Sequence, residues 1–231
     1  MKVVSNTRLI QRNRKLGQYL TIGALVVLGG GLYISFSAPE QLFLSFGALV
    51  VGFLLSQVGI YFGQRWGKSP RPDEHLTAAL KGLDDKYSLY HYTAPVSHLL
   101  VGPAGMIALV PFSQPGTIQY DSQRKRWRQK GGNPLMKVFG QEGLGRPELE
   151  AKDAMSDMQR ILSNQPGGVP YPDPRVVLVF TNPNVKLEAN EAPIPAVTTE
   201  KLKDYIRRQA KEHPASIEAI KLLEKSLPSA A

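Results

Sequence analysis

The sequence predicts an α/β protein with a two-helix transmembrane hairpin ahead of its α/β domain. Two observations predict the hairpin: Leu16–Phe36 and Gln41–Gly63 are apolar runs without a charged side chain, and only the short segment Ser37–Glu40 separates them. A third observation predicts the α/β part, since helix-like and strand-like segments alternate after residue 72. Such an order is typical of helices packed on a mixed central sheet.

Each apolar run reaches the roughly 20 residues that a helix needs to cross a hydrocarbon core. The short connection makes the two helices antiparallel neighbours. A buried soluble helix pair is one alternative, but soluble helices of this length normally carry a polar face. A cleaved signal peptide is another, and it is disfavoured because the first run is too long and a second run follows at once. We therefore expect a transmembrane hairpin over residues 16–63.

Basic residues predict the orientation of this hairpin. Five basic residues precede the first run and three follow the second, whereas the connection holds only Glu40. The positive-inside rule places basic flanks in the cytoplasm. We therefore expect a multi-pass protein of the cell (inner) membrane, with the lipid bilayer as its first partner. Residues 1–15 would be a basic cytoplasmic N-terminus, residues 64–72 a linker and residues 73–231 a cytoplasmic α/β domain.

Glycines within the two runs are candidate helix-packing positions, because small residues let helix backbones approach closely in lipid. They can serve the packing of the hairpin itself, or they can receive a neighbouring membrane protein or a second copy of the chain. The positions are Gly23, Gly29, Gly30, Gly31, Gly47, Gly52 and Gly59.

Composition limits the chemistry that is open to the chain. There is no cysteine among the 231 residues, which excludes disulfides, thiolate metal sites and cysteine catalysis. The net charge of +9 is unevenly distributed: residues 1–72 hold eight basic groups and one acidic group, and residues 73–231 hold twenty and eighteen. The excess of positive charge therefore lies beside the predicted membrane, and the rest is closer to neutral than a typical nucleic-acid-binding domain.

The elements after the linker follow from periodicity and turn residues. Buried strands are predicted where apolar runs are continuous, above all at Met106–Phe112 and Arg175–Thr181. In chain order the prediction is a helix at 73–83, strands at 87–92, 97–101 and 106–112, a hairpin of 116–120 with 126–129, a turn at Asn133-Pro134, a helix at 147–162, a strand at 175–181, a short edge strand at 195–197 and closing helices at 199–211 and 214–227.

Three stretches resemble the nuclease-related domain (NERD), a distant branch of the PD-(D/E)xK nucleases with a restriction-endonuclease-like fold. They are DEHLTAALKGLDDKYSLYHY from residue 73, SHLLVGPAGMIALVPFSQPGTI from residue 97, and NPLMKV with the later RVVLVFTNPNVKL. The central stretch is the most specific. Where the family has an Asp-His pair, Gly-Pro, a glycine and a final Gly with an apolar residue, this chain has the residues His98, Gly102, Pro103, Gly105, Gly116 and Ile118.

The catalytic residues of that family pattern are missing here. Its metal-binding Asp falls on Ser97, its Glu on Val110 and its Lys on Phe112, and only the helix acid survives, at Glu74 or Asp73. Magnesium prefers several oxygen ligands, and one carboxylate does not provide them. The resemblance therefore implies a degenerate site without a catalytic residue, a metal or a cofactor.

Other polar residues are weaker candidates. Asp84, Asp85 and Asp121 fall in predicted turns, where aspartate is common. His98 is a candidate base, although a lone histidine beside a strand is more often a structural hydrogen-bonding group. His75, His91 and His213 show no metal-ligand spacing.

The densest basic run of the domain surrounds one tryptophan. It comprises Arg124, Lys125, Arg126, Trp127, Arg128 and Lys130. Basic groups interleaved with an aromatic ring can bind phosphates and stack a base. The same run also fits a solvated hairpin whose tryptophan packs inward, or a surface that contacts anionic headgroups or an acidic partner.

These observations favour a catalytically inactive, membrane-anchored, nuclease-like domain that acts as a scaffold or as an accessory or assembly subunit of a membrane complex. The alternative is a membrane-tethered nucleic-acid-binding protein or a residual nuclease.

Overall fold

The computed structural model describes residues 1–131, 143–167 and 169–228. The chain divides into two compact units: Thr7–Arg71 forms one, and Met1–Asn6 joins the chain from Pro72 onward to form the other. The predicted α/β class with a mixed sheet and two long apolar helices is confirmed. The turn predicted at 133–134 and the NPLMKV stretch lie outside the described residues.

The first unit is a helical hairpin. Its elements are α1 (Thr7–Ser37), α2 (Leu42–Phe62) and a π-helical turn (Gly63–Gly67). Both long helices are apolar enough and long enough to cross a membrane. In an 18-residue apolar stretch of each helix, only 11% is buried within the molecule for the first helix and 17% for the second. Most of the apolar surface of both helices is therefore exposed.

Small residues at intervals of seven hold α1 against α2. The buried small residues are Gly17, Ala24 and Gly31 on α1 and Ser45, Gly52 and Gly59 on α2. A Cβ atom added at Gly52 would lie 2.6 Å from Leu28 Cγ, and one at Gly31 would lie 2.7 Å from Ala48 Cβ. Seven residues make about two helical turns, so these positions form one continuous face along which the backbones approach closely.

The second unit is built on a six-stranded mixed sheet. Its strands are β1 (Lys2–Ser5), β2 (Ser88–His91), β3 (His98–Gly102), β4 (Gly105–Phe112), β7 (Arg175–Phe180) and β9 (Ala196–Thr198). They lie side by side in the order β1-β2-β3-β4-β7-β9. The β1–β2, β4–β7 and β7–β9 pairs are parallel, and the β2–β3 and β3–β4 pairs are antiparallel.

The central strands are apolar on both faces, as the continuous runs predict. Even-numbered side chains of β4 and β7, among them Met106 and Leu178, enter a first core, and odd-numbered ones such as Leu109 and Val177 enter a second core. The β3–β4 turn closes this arrangement. Gly105 has φ of +89°, and a Cβ atom on Gly102 would overlap the Tyr87 ring.

Helices cover both faces of the sheet. The helix α3 (Pro72–Ala79) and the helix α5 (Thr199–Glu212) contribute Leu76, Leu202 and Ile206 to the second core. The helix α4 (Pro147–Ser163) and the helix α6 (Ile217–Ser226) contribute side chains such as Met158 and Leu223 to the first core.

A separate three-stranded sheet packs on the first core. It consists of β5 (Gly116–Asp121), β6 (Arg126–Lys130) and β8 (Val185–Glu188), with β5 in the middle. The β5–β6 hairpin agrees with the prediction. Strand β8 was not predicted, because its alternation of Val185 and Leu187 with charged residues is short and follows a turn.

The N-terminal residues depart from the predicted organisation. Residues 1–15 were expected to be one basic tail, but Lys2–Ser5 forms the edge strand β1, which runs parallel to β2, and only the residues from Thr7 belong to the hairpin. Val4 is buried in the first core. The hairpin is therefore an insertion within the α/β unit, between its first strand and α3.

Substitutions in β1 test this arrangement. Val4 is 4% exposed and Val3 is 38% exposed. We expect Val4→Ala to lower the free energy of unfolding of the α/β unit by about 2 kcal/mol, because it leaves a cavity, and Val3→Ala to lower it by less than about 1 kcal/mol. The measurement is urea unfolding of the full chain followed by Trp127 fluorescence in a Trp66→Phe background. Equal, small effects of both substitutions would contradict a packed β1.

Candidate functional site

The positions that match the nuclease motif on β4 lie in the first hydrophobic core. Val110 is 9% exposed and Phe112 is 3% exposed. The Phe112 ring stacks on Phe180 with a centroid distance of 5.5 Å, and its carbonyl oxygen accepts a hydrogen bond from the Thr181 amide at 2.8 Å. These side chains fill the space between sheet and helices with hydrocarbon and provide no metal ligand.

Ser97 and Glu74 do not complete a site around these residues. Leu99 pairs with Ala108, so continuing the register by two residues puts Ser97 beside Val110. Glu74, by contrast, belongs to α3, which packs on the opposite face of the sheet through Leu76. Across the described parts of the chain, no group of three or more acidic or histidine side chains is placed to hold a metal ion.

Two buried histidines form a pair that the sequence did not reveal. His91 and His98 face each other across β2 and β3, and their Nδ1 atoms are 2.9 Å apart. One ring must donate and the other accept, so a single proton lies between them. His91 Nε2 also lies 2.9 Å from Thr77 Oγ1. His98, which was considered as a lone histidine, therefore belongs to a hydrogen-bonded chain that ends on α3.

Burial determines the charge state of this pair. Loss of solvent lowers the pKa of His91 from 6.5 to about 4, and the charge of Asp73 partly opposes the shift. His91 is therefore neutral at physiological pH. A protonated His91 ring has two N–H groups and no nitrogen that can accept, so it could not accept the hydrogen bond from His98 Nδ1. It would also put a poorly solvated positive charge in the core.

The histidine pair lies where the chain leaves the α/β unit for the hairpin and returns to it. The amide of Asn6, the residue that follows β1, donates to the His91 carbonyl oxygen at 3.0 Å. Thr77 and Asp73 belong to α3, the first element after the hairpin. His91 thus connects the segments on either side of the inserted hairpin.

The basic run divides between two faces of β6. Trp127 packs inward, with its ring centroid 5.4 Å from that of Tyr120 and 6.4 Å from that of Phe180. It is buried in the first core and is not available to stack a base, which corrects its inclusion among the binding residues. Arg126, Arg128 and Lys130 alternate with inward-facing residues and lie on the outer face.

The outer face of the small sheet is mainly basic. Its β5 neighbour Asp121 forms an ion pair with Arg128 at 3.2 Å and accepts a hydrogen bond from the Arg124 amide at 3.0 Å. That amide, helped by the charges of Arg128, Arg124 and Arg126, lowers the pKa of Asp121. Lys125 lies in the turn with φ of 48°. Strand β8 adds one positive charge, Lys186, and one negative charge, Glu188, to the same face. Asp121 therefore shapes the turn, as expected of a turn residue.

The candidate packing glycines separate into two groups. Gly31, Gly52 and Gly59 lie in the α1–α2 contact, and so does Gly17, which was not among the predicted positions. A Cβ atom added at Gly23, Gly29, Gly30 or Gly47 would meet no atom within 4 Å. The second group therefore faces away from the partner helix and leaves small grooves on the outside of the hairpin.

No family model, curated protein or solved structure matches this chain. The resemblance to the nuclease-related domain therefore remains a prediction from the motif residues.

The pH dependence of stability tests the neutral histidine pair. Because the pKa of His91 is depressed in the folded state, its contribution is complete above pH 6.5 and is lost as the pH falls to about 4. From that difference we expect a loss on the order of 3 kcal/mol in the free energy of unfolding. His91→Gln should flatten the dependence, and His213→Gln, at an exposed position, should not. An unchanged slope in His91→Gln would contradict this assignment.

Proposed function

We propose that this chain is a membrane-anchored scaffold, or an accessory or assembly subunit of a membrane complex, built on a restriction-endonuclease-like domain without catalytic activity. The observation that carries the proposal is the burial of Val110 and Phe112 in the first core, where the nuclease motif would place its Glu and Lys. Hydrolysis of a phosphodiester by this fold needs a metal held by carboxylates near these positions. A folded domain that lacks those ligands can still present a stable surface to a partner protein, which is what a scaffold needs.

The helical unit supports the membrane part of this proposal. The large apolar side chains of α1 and α2 point outward, among them Phe36, Phe43 and Leu25. Exposure of so much apolar surface to water is unfavourable, and a bilayer removes the cost. The basic flanks favour a cytoplasmic location for both chain termini and the α/β unit, as the positive-inside rule expects.

The outward-facing glycines support a partner within the membrane. Gly29 and Gly30 lie on α1, Gly47 lies on α2, and all three are exposed. Helices in lipid associate through close backbone approach at small residues, since lipid offers no hydrophobic driving force between them. A helix of another membrane protein, or of a second copy of the chain, would pack at these positions.

Leucine substitutions separate the two groups of glycines. We expect Gly30→Leu and Gly47→Leu to release the protein from a larger complex purified from native membranes in mild detergent, because the side chain fills the groove that a partner helix would occupy. The hairpin itself should remain folded in both variants, since nothing lies within 4 Å of either position. Size-exclusion chromatography and copurification provide the measurement.

Two controls accompany this experiment. Val26→Leu enlarges another outward position of α1 and should leave the complex intact. Gly52→Leu would clash with Leu28 and should weaken the α1–α2 contact itself, which helix-to-helix cross-linking detects. Unchanged migration of the Gly30 and Gly47 variants would count against a membrane partner at this surface.

The second candidate function is nucleic-acid binding, which the basic outer face of β6 favours. Arg126, Arg128 and Lys130 can neutralise phosphates along one strand. The burial of Trp127 removes the aromatic platform that single-strand binders use. The nearly neutral remainder of the domain also disfavours this function.

Nucleic-acid assays on the full chain decide between the two functions. For a scaffold we expect no Mg²⁺-dependent cleavage of DNA or RNA, and only weak binding at about 150 mM salt, where exposed charges are screened. The triple variant Arg126→Gln, Arg128→Gln, Lys130→Gln should then behave like the parent. Tight binding that falls steeply with salt and disappears in the triple variant would establish the second function instead.

A further inference from the structure

A groove lies at the edge of the central sheet, where residues of α4, of α5 and of the edge strand β9 line one cavity. It encloses about 720 Å³ and is lined by the first residues of the parallel neighbours β7 and β9, among them Val176 and Ala196. This volume falls within the roughly 300–1,000 Å³ of small-molecule sites in proteins. The groove is separate from the basic face of β6 and from the histidine pair.

The charged side chains of the groove are mainly basic. Lys152 comes from α4, Arg175 from the start of β7 and Arg208 from α5, and Glu148 is the acidic side chain among the lining residues. The described lining therefore carries an excess of two positive charges. Because three different elements supply the cations, folding of the sheet edge is what brings them to one cavity.

Arg175 is the most rigidly held of the three cations. Its guanidinium donates to the Ala104 carbonyl oxygen at 2.5 Å and to Gln209 Oε1. These two bonds fix the plane of the guanidinium and do not exhaust its five N–H donors. A planar, fixed guanidinium is suited to bidentate recognition of a phosphate or carboxylate.

Arg208 lies over the Tyr205 ring, with its Cζ atom 5.6 Å from the ring centroid. Burial raises the pKa of Tyr205, while the charges of Arg175 and Arg208 oppose that rise, so both guanidiniums lie near the same phenol. Arg208 Nε is 3.9 Å from Glu212, a separation that makes a weak ion pair. An anion in the groove can therefore compete with Glu212 for this guanidinium.

The remaining wall of the groove is apolar. Met155 of α4 and the segment Pro193–Pro195 ahead of β9 provide it. Binding pockets for organic ligands commonly combine such a wall with a few polar groups that fix orientation. A purely inorganic anion would leave this wall unused.

We propose that this groove binds a phosphate monoester that carries an apolar ring or chain, with Arg175, Arg208 and Lys152 on the phosphate and the Met155–Pro195 side against the apolar part. A phosphate monoester carries close to two negative charges at neutral pH, which matches the charge excess of the lining. A nucleotide and a phosphatidic-acid headgroup share this chemistry. The proposal involves none of the residues on which the scaffold function rests.

Calorimetric titration of the full chain in nanodiscs of neutral lipid tests the proposal, with phenyl phosphate as the probe. We expect saturable binding that weakens at least about tenfold in Arg208→Ala and in Lys152→Ala, since each removes a charge-assisted contact. Both side chains are exposed, so the variants should fold. Glu148→Gln should tighten binding, because it removes the acidic group of the lining.

Matched controls make the outcome decisive. Arg207→Ala removes the neighbouring arginine, which pairs with Asp204 at 3.6 Å and does not line the groove, and it should bind as the parent does. Competition by adenosine monophosphate or by dihexanoyl phosphatidic acid then identifies a nucleotide-like or a lipid-like source. Absence of binding at millimolar phenyl phosphate, equal affinity for inorganic phosphate, or equal loss in the Arg207 variant would overturn the proposal, and none of these results bears on association through the hairpin.

Discussion

The α/β unit depends on two central strands that bury apolar side chains on both faces. Strands β4 and β7 pair in parallel, and their alternating residues supply two separate cores. Such strands are stable only when helices cover both sides of the sheet. The centre of this sheet is consequently closed to polar chemistry, and polar groups lie at its margins: the histidine pair at one end of β2 and β3, the basic face on the small sheet, and the groove around β9.

The parts of the fold that the sequence predicts are those with long, uniform apolar patterns. The two helices of the hairpin, β4 and β7 are examples, because periodicity and length identify such segments without tertiary information. Strand β1 escaped prediction since Lys2–Ser5 is short and polar at both ends, and its partner Ser88–His91 lies beyond the whole hairpin. Strand β8 was missed for a similar reason, because its four residues form a strand only by pairing with the distant strand β5.

The candidate sites were harder to predict, because strand register and the side of a helix or strand on which a residue lies decide which side chains meet. His91 and His98 look unrelated along the chain, and only the antiparallel register of β2 with β3 places their rings together. In the sequence Trp127 belongs to a basic cluster, but side chains alternate along β6 and this alternation places the Trp127 ring in the first core. The glycines of the hairpin likewise look equivalent in sequence, whereas helix packing divides them into those that contact the other helix and those that do not. The groove joins residues from four separate elements and has no local signature.

The location of β1 ahead of the hairpin affects how the chain closes the edge of its central sheet. This strand precedes both long helices in the chain, whereas its partner β2 follows them. Closing so large a loop costs conformational entropy, although the cost grows slowly with length. Antiparallel association of α1 with α2 brings the two ends of that loop together, as the proximity of Gly17 to Phe62 illustrates. Packing within the hairpin and pairing at the sheet edge are therefore linked through the chain, because α1 and α2 lie between the two strands that β1–β2 pairing joins.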